Sequence, residues 1–284
     1  MPEGDTVWLA ARRLRDTLGG QVLTGSDFRV PHLATVDLSG RRIVDVASRG
    51  KHLLTRVDGG QTLHTHFRMD GTWHLYRPGA RWRGGPAWQI RVILTTSDWR
   101  AVGYRLPVIE LIPTAAEDRA VGHLGPDPLG PDWDLDEAVR RLSGDPAREI
   151  GEALLDQRNL AGVGNLYKTE VCFLRAVSPW TPVADVADLS VLIELAGRLL
   201  DANKGDWTQS TTGQTRRGEQ HWVFEREGRP CRRCGTRVAM AEQGTPPRQR
   251  LCYWCPRCQP GPAPTPPHRH QLPPPPRGAR RYQP

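Results

Sequence analysis

Gln157-Arg158-Asn159-Leu160-Ala161-Gly162-Val163-Gly164-Asn165 is the stretch on which the fold of this chain turns. It is too glycine-rich to be helix, yet apolar residues recur at helical spacing on both sides of it, over about 146–156 and 165–176. The stretch therefore reads as two tight turns joining two helices. Glycine-rich backbone at a helix start presents free N–H groups and the positive end of a dipole, which suits a phosphate. A plain inter-helix turn explains the same residues, and both readings stay open at this point. Further helical patterns at about 134–143 and 189–204 extend the helical segment, which is entered through the proline-rich connector GPDPLGPDW, 125–133.

Upstream the signals change. Asp5 or Thr6 can cap a first helix in which Val7, Ala10, Ala11, Leu14 and Leu18 share one face, and Gly19-Gly20 ends it. From about Val22 to Pro113 come short strand-like runs: IVDVAS, HLLTRV, TLHTHF, WHLYR, QIRVILTT, AVGYRL and VIELI. Turn residues such as Asp58-Gly59-Gly60 and Pro78-Gly79 separate them. Strands at this spacing predict a two-sheet antiparallel sandwich with the first helix packed on one end. The whole is α+β and multidomain: a β unit over 1–113, a helical unit over 114–218, a metal module over 219–259 and a tail over 260–284.

The metal module rests on cysteine spacing. Cys231-x2-Cys234 and Cys255-x2-Cys258 flank 20 residues, and each pair is a turn that presents two thiolates to one tetrahedral Zn2+. Cys252 also stands three residues before Cys255. The Cys255–Cys258 choice is preferred because Pro256 pre-bends that turn. Cys172 sits in a helical apolar pattern and reads as core. Arg232, Arg233, Arg237, Arg248, Arg250 and Arg257 surround the module; a solvated face explains them, and so do phosphate contacts.

Composition bounds the function. The 284 residues carry Lys+Arg 39 against Asp+Glu 31, a formal charge of +8, which favours a polyanionic partner. No run of 18 apolar residues exists, so no membrane span is expected. The opening MPEGDTVW lacks a basic-then-apolar leader, so the cytosol is the expected compartment and disulfides are not expected. Ten of the 26 prolines fall in Gln259–Pro284 together with four Arg and no acid, which predicts a disordered basic tail. Lysine is rare: Lys51, Lys168 and Lys204 stand among 36 Arg, so each is a candidate for a role that Arg cannot fill.

The N-terminus offers chemistry. Pro2 is small enough to permit removal of Met1, leaving a secondary amine. An α-amino group has a pKa of about 7.7–8.0 against about 10.4 for Lys, so an appreciable fraction is neutral and nucleophilic near pH 7. Glu3 stands beside it as a proton donor or acceptor. Lys51, after Ser48-Arg49-Gly50, leads into a strand; an edge-strand solubility residue is the commonest explanation for such a lysine.

PEG at the start, RGK on an early strand, DQRNLAGVGNLY between helices and CRRC…YWCPRCQ near the end occur here in that order. Over Pro2–Gln259 the chain resembles the bacterial formamidopyrimidine-DNA glycosylase and endonuclease VIII family, and PEGDTVW resembles its actinobacterial endonuclease VIII branch. The resemblance implies a bifunctional DNA glycosylase and AP lyase of base excision repair, with a β-sandwich, a helix–two-turn–helix domain and a zinc finger. It makes Pro2 the nucleophile at C1′, Glu3 the acid that helps open the sugar, Lys51 the lysine of β-elimination and phosphate contact, and Arg250 the arginine of δ-elimination. Asn165, Arg68 and His123 fall on DNA-contacting positions, and Met69 lies on the loop that carries the family's wedge. Arg68, Met69 and Asp70 depart from the better-known endonuclease VIII pattern, as do Cys252 and the tail. The implied partner is damaged double- or single-stranded DNA, bound by a monomer. Oxidised pyrimidines are favoured over oxidised purines, with the pocket loop around 205–220 deciding. Two other readings are a catalytically silent damaged-DNA-binding paralogue, which leaves the intact Pro2, Glu3, Lys51 and Arg250 unexplained, and a zinc-ribbon module, which leaves PEG and the double turn unexplained.

Overall fold

The protein was analysed as a computed structural model that describes residues 2–264. The first helix, α1 (Gly4–Leu18), buries Val7, Ala10, Ala11, Leu14 and Leu18, the face expected from their spacing. Its start differs from expectation. Glu3 occupies the cap position without capping, and Asp5 turns inward to Tyr167 and Gln209. A carboxylate bonded across the molecule is not available to its own helix.

Eight strands follow: β1 (Gly25–Phe28), β2 (Ile43–Arg49), β3 (His52–Val57), β4 (Gln61–His66), β5 (Thr72–Tyr76), β6 (Ile90–Thr95), β7 (Arg100–Tyr104) and β8 (Val108–Pro113). They form two four-stranded sheets, ordered β1-β6-β7-β5 and β2-β3-β4-β8, with every pairing antiparallel. Their inner faces and α1 enclose one core that includes Phe28, Ile43, Leu53, Leu63, Val92 and Leu94. The seven expected strands are present. β1, Gly-Ser-Asp-Phe, carries too little apolar pattern to be read in advance; it forms because β6 offers it an open edge.

After a short helix, α2 (Asp118–Val121), the connector leads to α3 (Leu135–Leu142), α4 (Ile150–Leu155), α5 (Asn165–Leu174) and α6 (Leu189–Asn203). The expected helix over 146–156 begins only at Ile150. The residues before it form a turn, with Arg148 N donating to Asp145 O, and bond to 181–184, where Val183 N donates to Arg148 O and Ile150 N to Thr181 O. Those amides are committed outside a helix. A hairpin of β9 (Ala239–Gln243) and β10 (Arg250–Trp254) closes the described chain.

The helices and the cysteine segment share one core, in which Phe173, Leu192, Ile193 and Leu200 meet Val223, Phe224, Tyr253 and Cys255. The expected tail begins in contact with this unit: Ser178 Oγ donates to Pro262 O, and Gln259 Nε2 donates to Val177 O at 2.9 Å. The rest of that predicted tail, 265–284, lies outside the described residues.

The connector also reaches back to the β unit. Asp127, 2 % exposed, accepts Gly50 N at 2.6 Å and Leu129 N at 2.9 Å, which fixes the turn between β2 and β3. Asp127→Ala leaves both amides without their acceptor. It should lower stability by about 1–3 kcal/mol, measured as a shift of the urea-unfolding midpoint.

Candidate active site and metal centre

The glycine stretch is the meeting point of the two halves. Gly4 N donates to Gly162 O at 2.9 Å, and a Cβ on Gly4 would stand 2.9 Å from Gly162 Cα. Gly162 has φ +90°, a conformation natural to glycine. Gln157 braces the turn from within: its Nε2 donates to Val163 O and its Oε1 accepts Gly162 N. Both halves of the expected double turn are present, and it receives the N-terminus of the chain.

Glu3 is fully buried there. Its two carboxylate oxygens accept Gly164 N at 2.6 Å and Leu166 N at 2.8 Å, at the beginning of α5. A Cβ on Gly164 would lie 2.5 Å from Glu3 Cδ, so this position is open only to glycine. Burial pushes the Glu3 carboxyl above its ordinary range and Asp5 adds to that, while Lys51 and the two amides pull the other way. The balance favours a carboxyl that keeps a proton more readily than a surface glutamate. Pro2 precedes it directly, half-buried.

Lys51 lies in the turn between β2 and β3 rather than inside a strand, and its Nζ donates to Val163 O at 2.7 Å. Gly50, with φ +55°, lets that turn sit on the glycine stretch, where a Cβ would meet Ala161 Cβ at 3.2 Å. Burial lowers the Lys51 pKa, the charges of Glu3 and Asp5 raise it, and that of Arg250 lowers it. Lys51 thus feels the charges of both Glu3 and Arg250, although 247 positions separate those two. Beside Lys51 stand His52 and His66, which burial lowers to about 3 and about 4, so both are neutral near pH 7.

The remaining expected residues divide. Asn165 is 8 % exposed; its Nδ2 donates to Leu251 O at 2.8 Å, one residue from Arg250, and its Oδ1 is buried without a partner among the described residues. Arg250 opens β10 and is exposed. Arg68 and Met69 are exposed on the loop between β4 and β5, with Arg68 at φ 47°. His123 is exposed with its ring centroid 6.1 Å from that of His52.

Cys231, Cys234, Cys255 and Cys258 form a group whose sulfurs all lie within 4.8 Å of one another. Cys234 and Cys255 are 3.4 Å apart, Cys231 and Cys258 4.0 Å. Sulfurs around a tetrahedral ion at about 2.3 Å stand about 3.8 Å apart, so the four thiols fit a metal. Cys252 is fully buried on β10 outside this group, and Cys172 is core.

The loop around 205–220 expected to shape a pocket does line one, and the residue that braces it was not singled out in the sequence. A cavity of about 670 Å³ opens beside Leu166, lined by Gln209, Thr215, Arg217, Gln220 and His221. Its wall is held by Glu170 on α5, which is fully buried and accepts the amides of Trp222, Val223 and Phe224 and the hydroxyl of Thr211. A charge inside an otherwise buried helix was the one clue available.

With the geometry in place, comparison with known proteins gives the class. The profile of the formamidopyrimidine-DNA glycosylase N-terminal domain matches residues 1–105, and that of the H2TH domain of the same enzymes matches 124–196. A Lactococcus lactis formamidopyrimidine-DNA glycosylase, solved with abasic-site DNA, shares the fold at TM-score 0.75 and 23 % identity, over 91 % of this chain and 100 % of that one. The probable endonuclease 8 2 of Streptomyces coelicolor is 62 % identical over 94 % of this chain and 96 % of its own length. A DNA-(apurinic or apyrimidinic site) lyase of Mycolicibacterium smegmatis is 44 % identical over 91 % of this chain and 99 % of its own. The chain belongs to the formamidopyrimidine-DNA glycosylase and endonuclease VIII family, on the branch of the actinobacterial endonucleases. Among the described residues no helix is long and apolar enough to cross a membrane.

Glu170→Ala removes the acceptor for three buried backbone amides at once. The change should cost about 3–5 kcal/mol, read from chemical unfolding, and should raise hydrogen exchange at 211–224 more than in α1.

Proposed function

We propose that the protein is a base-excision-repair DNA glycosylase with AP lyase activity that attacks C1′ of a damaged deoxynucleotide through the Pro2 amine. The observation that carries this reading is the buried Glu3 carboxyl, pinned by Gly164 N and Leu166 N directly beside Pro2, with Lys51 held on the same turn. Once Met1 is removed, Pro2 is a secondary amine. Attack on C1′ releases the base, and Glu3, its carboxyl pushed up by burial, supplies a proton to the opening sugar. The C1′–N bond then becomes an iminium, which acidifies the C2′ hydrogens. Loss of a C2′ proton breaks the C3′–O bond with release of phosphate. Loss of the C4′ proton then breaks the C5′–O bond. Lys51 serves the first elimination and Arg250 the second.

A damaged base must leave the stack to reach this site. We assign the cavity beside Leu166 to the extruded base and Met69 to the gap it leaves, with Arg68, His123, Asn165 and Arg250 gripping phosphates. The division into units at 113, 218 and 259 follows the same assignment. Oxidised pyrimidines are the favoured lesions, in keeping with relatives that carry the endonuclease 8 name. Cys231, Cys234, Cys255 and Cys258 would hold a structural zinc ion, which would fix the hairpin that presents Arg250.

Incubation with abasic-site DNA and borohydride should trap one covalent adduct through Pro2. A tag left directly before Pro2 turns the amine into an amide, whose delocalised lone pair cannot form the iminium. The tagged protein should give no adduct, its exact proteolytic removal should restore the adduct, and DNA binding should change far less. Native-rate trapping by the tagged protein, verified by mass, would mean that Pro2 is not the nucleophile. A panel of oxidised pyrimidine and purine duplexes under the same conditions reads the lesion class.

Metal analysis should find one zinc per chain. Cys252→Ser should leave that content unchanged, whereas Cys231→Ser should lose zinc together with DNA affinity and strand cleavage.

A further inference from the structure

Lys168 is the one lysine of the three that lies fully buried, and nothing in the reaction above uses it. It lies one turn along α5 from Asn165, and its Nζ donates to Gln243 Oε1 at 3.2 Å. Gln243, 4 % exposed at the end of β9, is the only bridge it needs to reach an anion: the same carboxamide donates from Nε2 to Glu149 Oε2 at 2.9 Å and to Pro179 O at 2.8 Å. An amide dipole therefore stands between a buried cation and a carboxylate, with its oxygen toward the first and its nitrogen toward the second. The helical unit leaves a slot for this side chain. A Cβ on Gly151 of α4 would lie 2.3 Å from Gln243 Oε1 and 2.8 Å from its Nε2, so glycine there is what admits the glutamine.

The consequence lies on the opposite strand. In the hairpin Gln243 pairs directly with Arg250. Arg250 is exposed, and its guanidinium bonds only to the adjacent Gln249 carbonyl among the contacts the structure gives it. Its place is therefore set by its backbone. Two fastenings from α5 hold that backbone: Asn165 on Leu251 O, and Lys168 on Gln243 across the ladder.

We infer that buried Lys168 and Gln243, with half-buried Glu149, form a clamp that positions Arg250, and that the clamp thereby sets how the lyase divides between β-elimination alone and β- followed by δ-elimination. The inference rests on the reading of Arg250 given above. In the second elimination the C4′ proton is lost, the C5′–O electron pair leaves with the phosphate, and the strand end changes from an unsaturated aldehyde to a 3′-phosphate. A guanidinium displaced from the departing phosphate slows that step and leaves the Pro2 steps untouched. Lys168, Gln243 and Glu149 are positioning residues; none of them touches DNA.

The test is a single-turnover reaction on abasic duplex DNA, following the ratio of 3′-phosphate to 3′-unsaturated-aldehyde ends and, separately, the rate of borohydride trapping. Lys168→Met and Gln243→Met should each lower the ratio by about tenfold to a hundredfold, while trapping stays within about twofold of wild type. The double variant should be no worse than either single one, since both break the same connection. Gln243→Met replaces an uncharged side chain by one of similar length and keeps the test open if Lys168→Met does not fold; zinc content and circular dichroism certify each variant. An unchanged ratio in a folded variant overturns the clamp, and so does a fall in trapping equal to the fall in 3′-phosphate. Failure of the wild-type protein to trap any adduct would instead overturn the Pro2 chemistry, which separates the two claims.

Discussion

The carboxylate of Glu3 against the first amides of α5 is the contact on which the rest of the site depends. Burying a carboxylate costs several kcal/mol. Two short hydrogen bonds from backbone N–H, together with the positive end of a helix, offset much of that cost. The offset is incomplete, and the carboxyl responds by holding its proton more tightly. One interaction therefore joins the N-terminus to the helical unit and prepares an acid. It also explains the glycines: a Cβ on Gly4 would press on the Gly162 backbone and one on Gly164 on the Glu3 side chain, while Gly162 is set by its φ of +90°.

α5 is the beam to which the remaining parts are fastened. Its N-terminal amides hold Glu3, Asn165 and Lys168 hold the two strands of the hairpin, and Glu170 holds the segment from Thr211 to Phe224. Nine of its ten residues are buried, the polar ones included. Asn165, Lys168 and Glu170 each find a hydrogen-bond partner, as buried polar groups generally must; the Thr169 hydroxyl has none among the described residues. Four separate segments are thus registered against one rigid element, which is how catalytic groups from distant parts of a chain keep a common geometry.

The site is also electrically graded. Lys51 is surrounded by neutral imidazoles, two carboxyls and, further off, the Arg250 charge. Burial destabilises its ammonium more than Glu3 and Asp5 support it, so its pKa stays below the ordinary lysine value. The outer rim, by contrast, is exposed and basic or apolar at Arg68, Met69 and Arg250.

What the sequence determined by itself was local. The period of the apolar residues marked α1, seven of the eight strands of the sandwich and the helices α3 to α6, and the paired Cys-x2-Cys turns marked a metal group. The glycine stretch was legible as a double turn because glycine's conformational freedom is a property of one residue. Only the tertiary structure decided the partners. Asp5 looked like a helix cap and instead reaches Tyr167; 146–149 looked helical and instead bonds to 181–184; Lys168 was marked only by the rarity of lysine and is sealed against Gln243. These contacts join residues 31 to 162 positions apart, and a buried charge is chosen by the groups that happen to surround it in space. Periodicity and composition carry no record of those neighbours, so the pinning of Glu3 by α5, the Lys168–Gln243 contact and the hold of Glu170 on the pocket wall became visible only when the chain was folded.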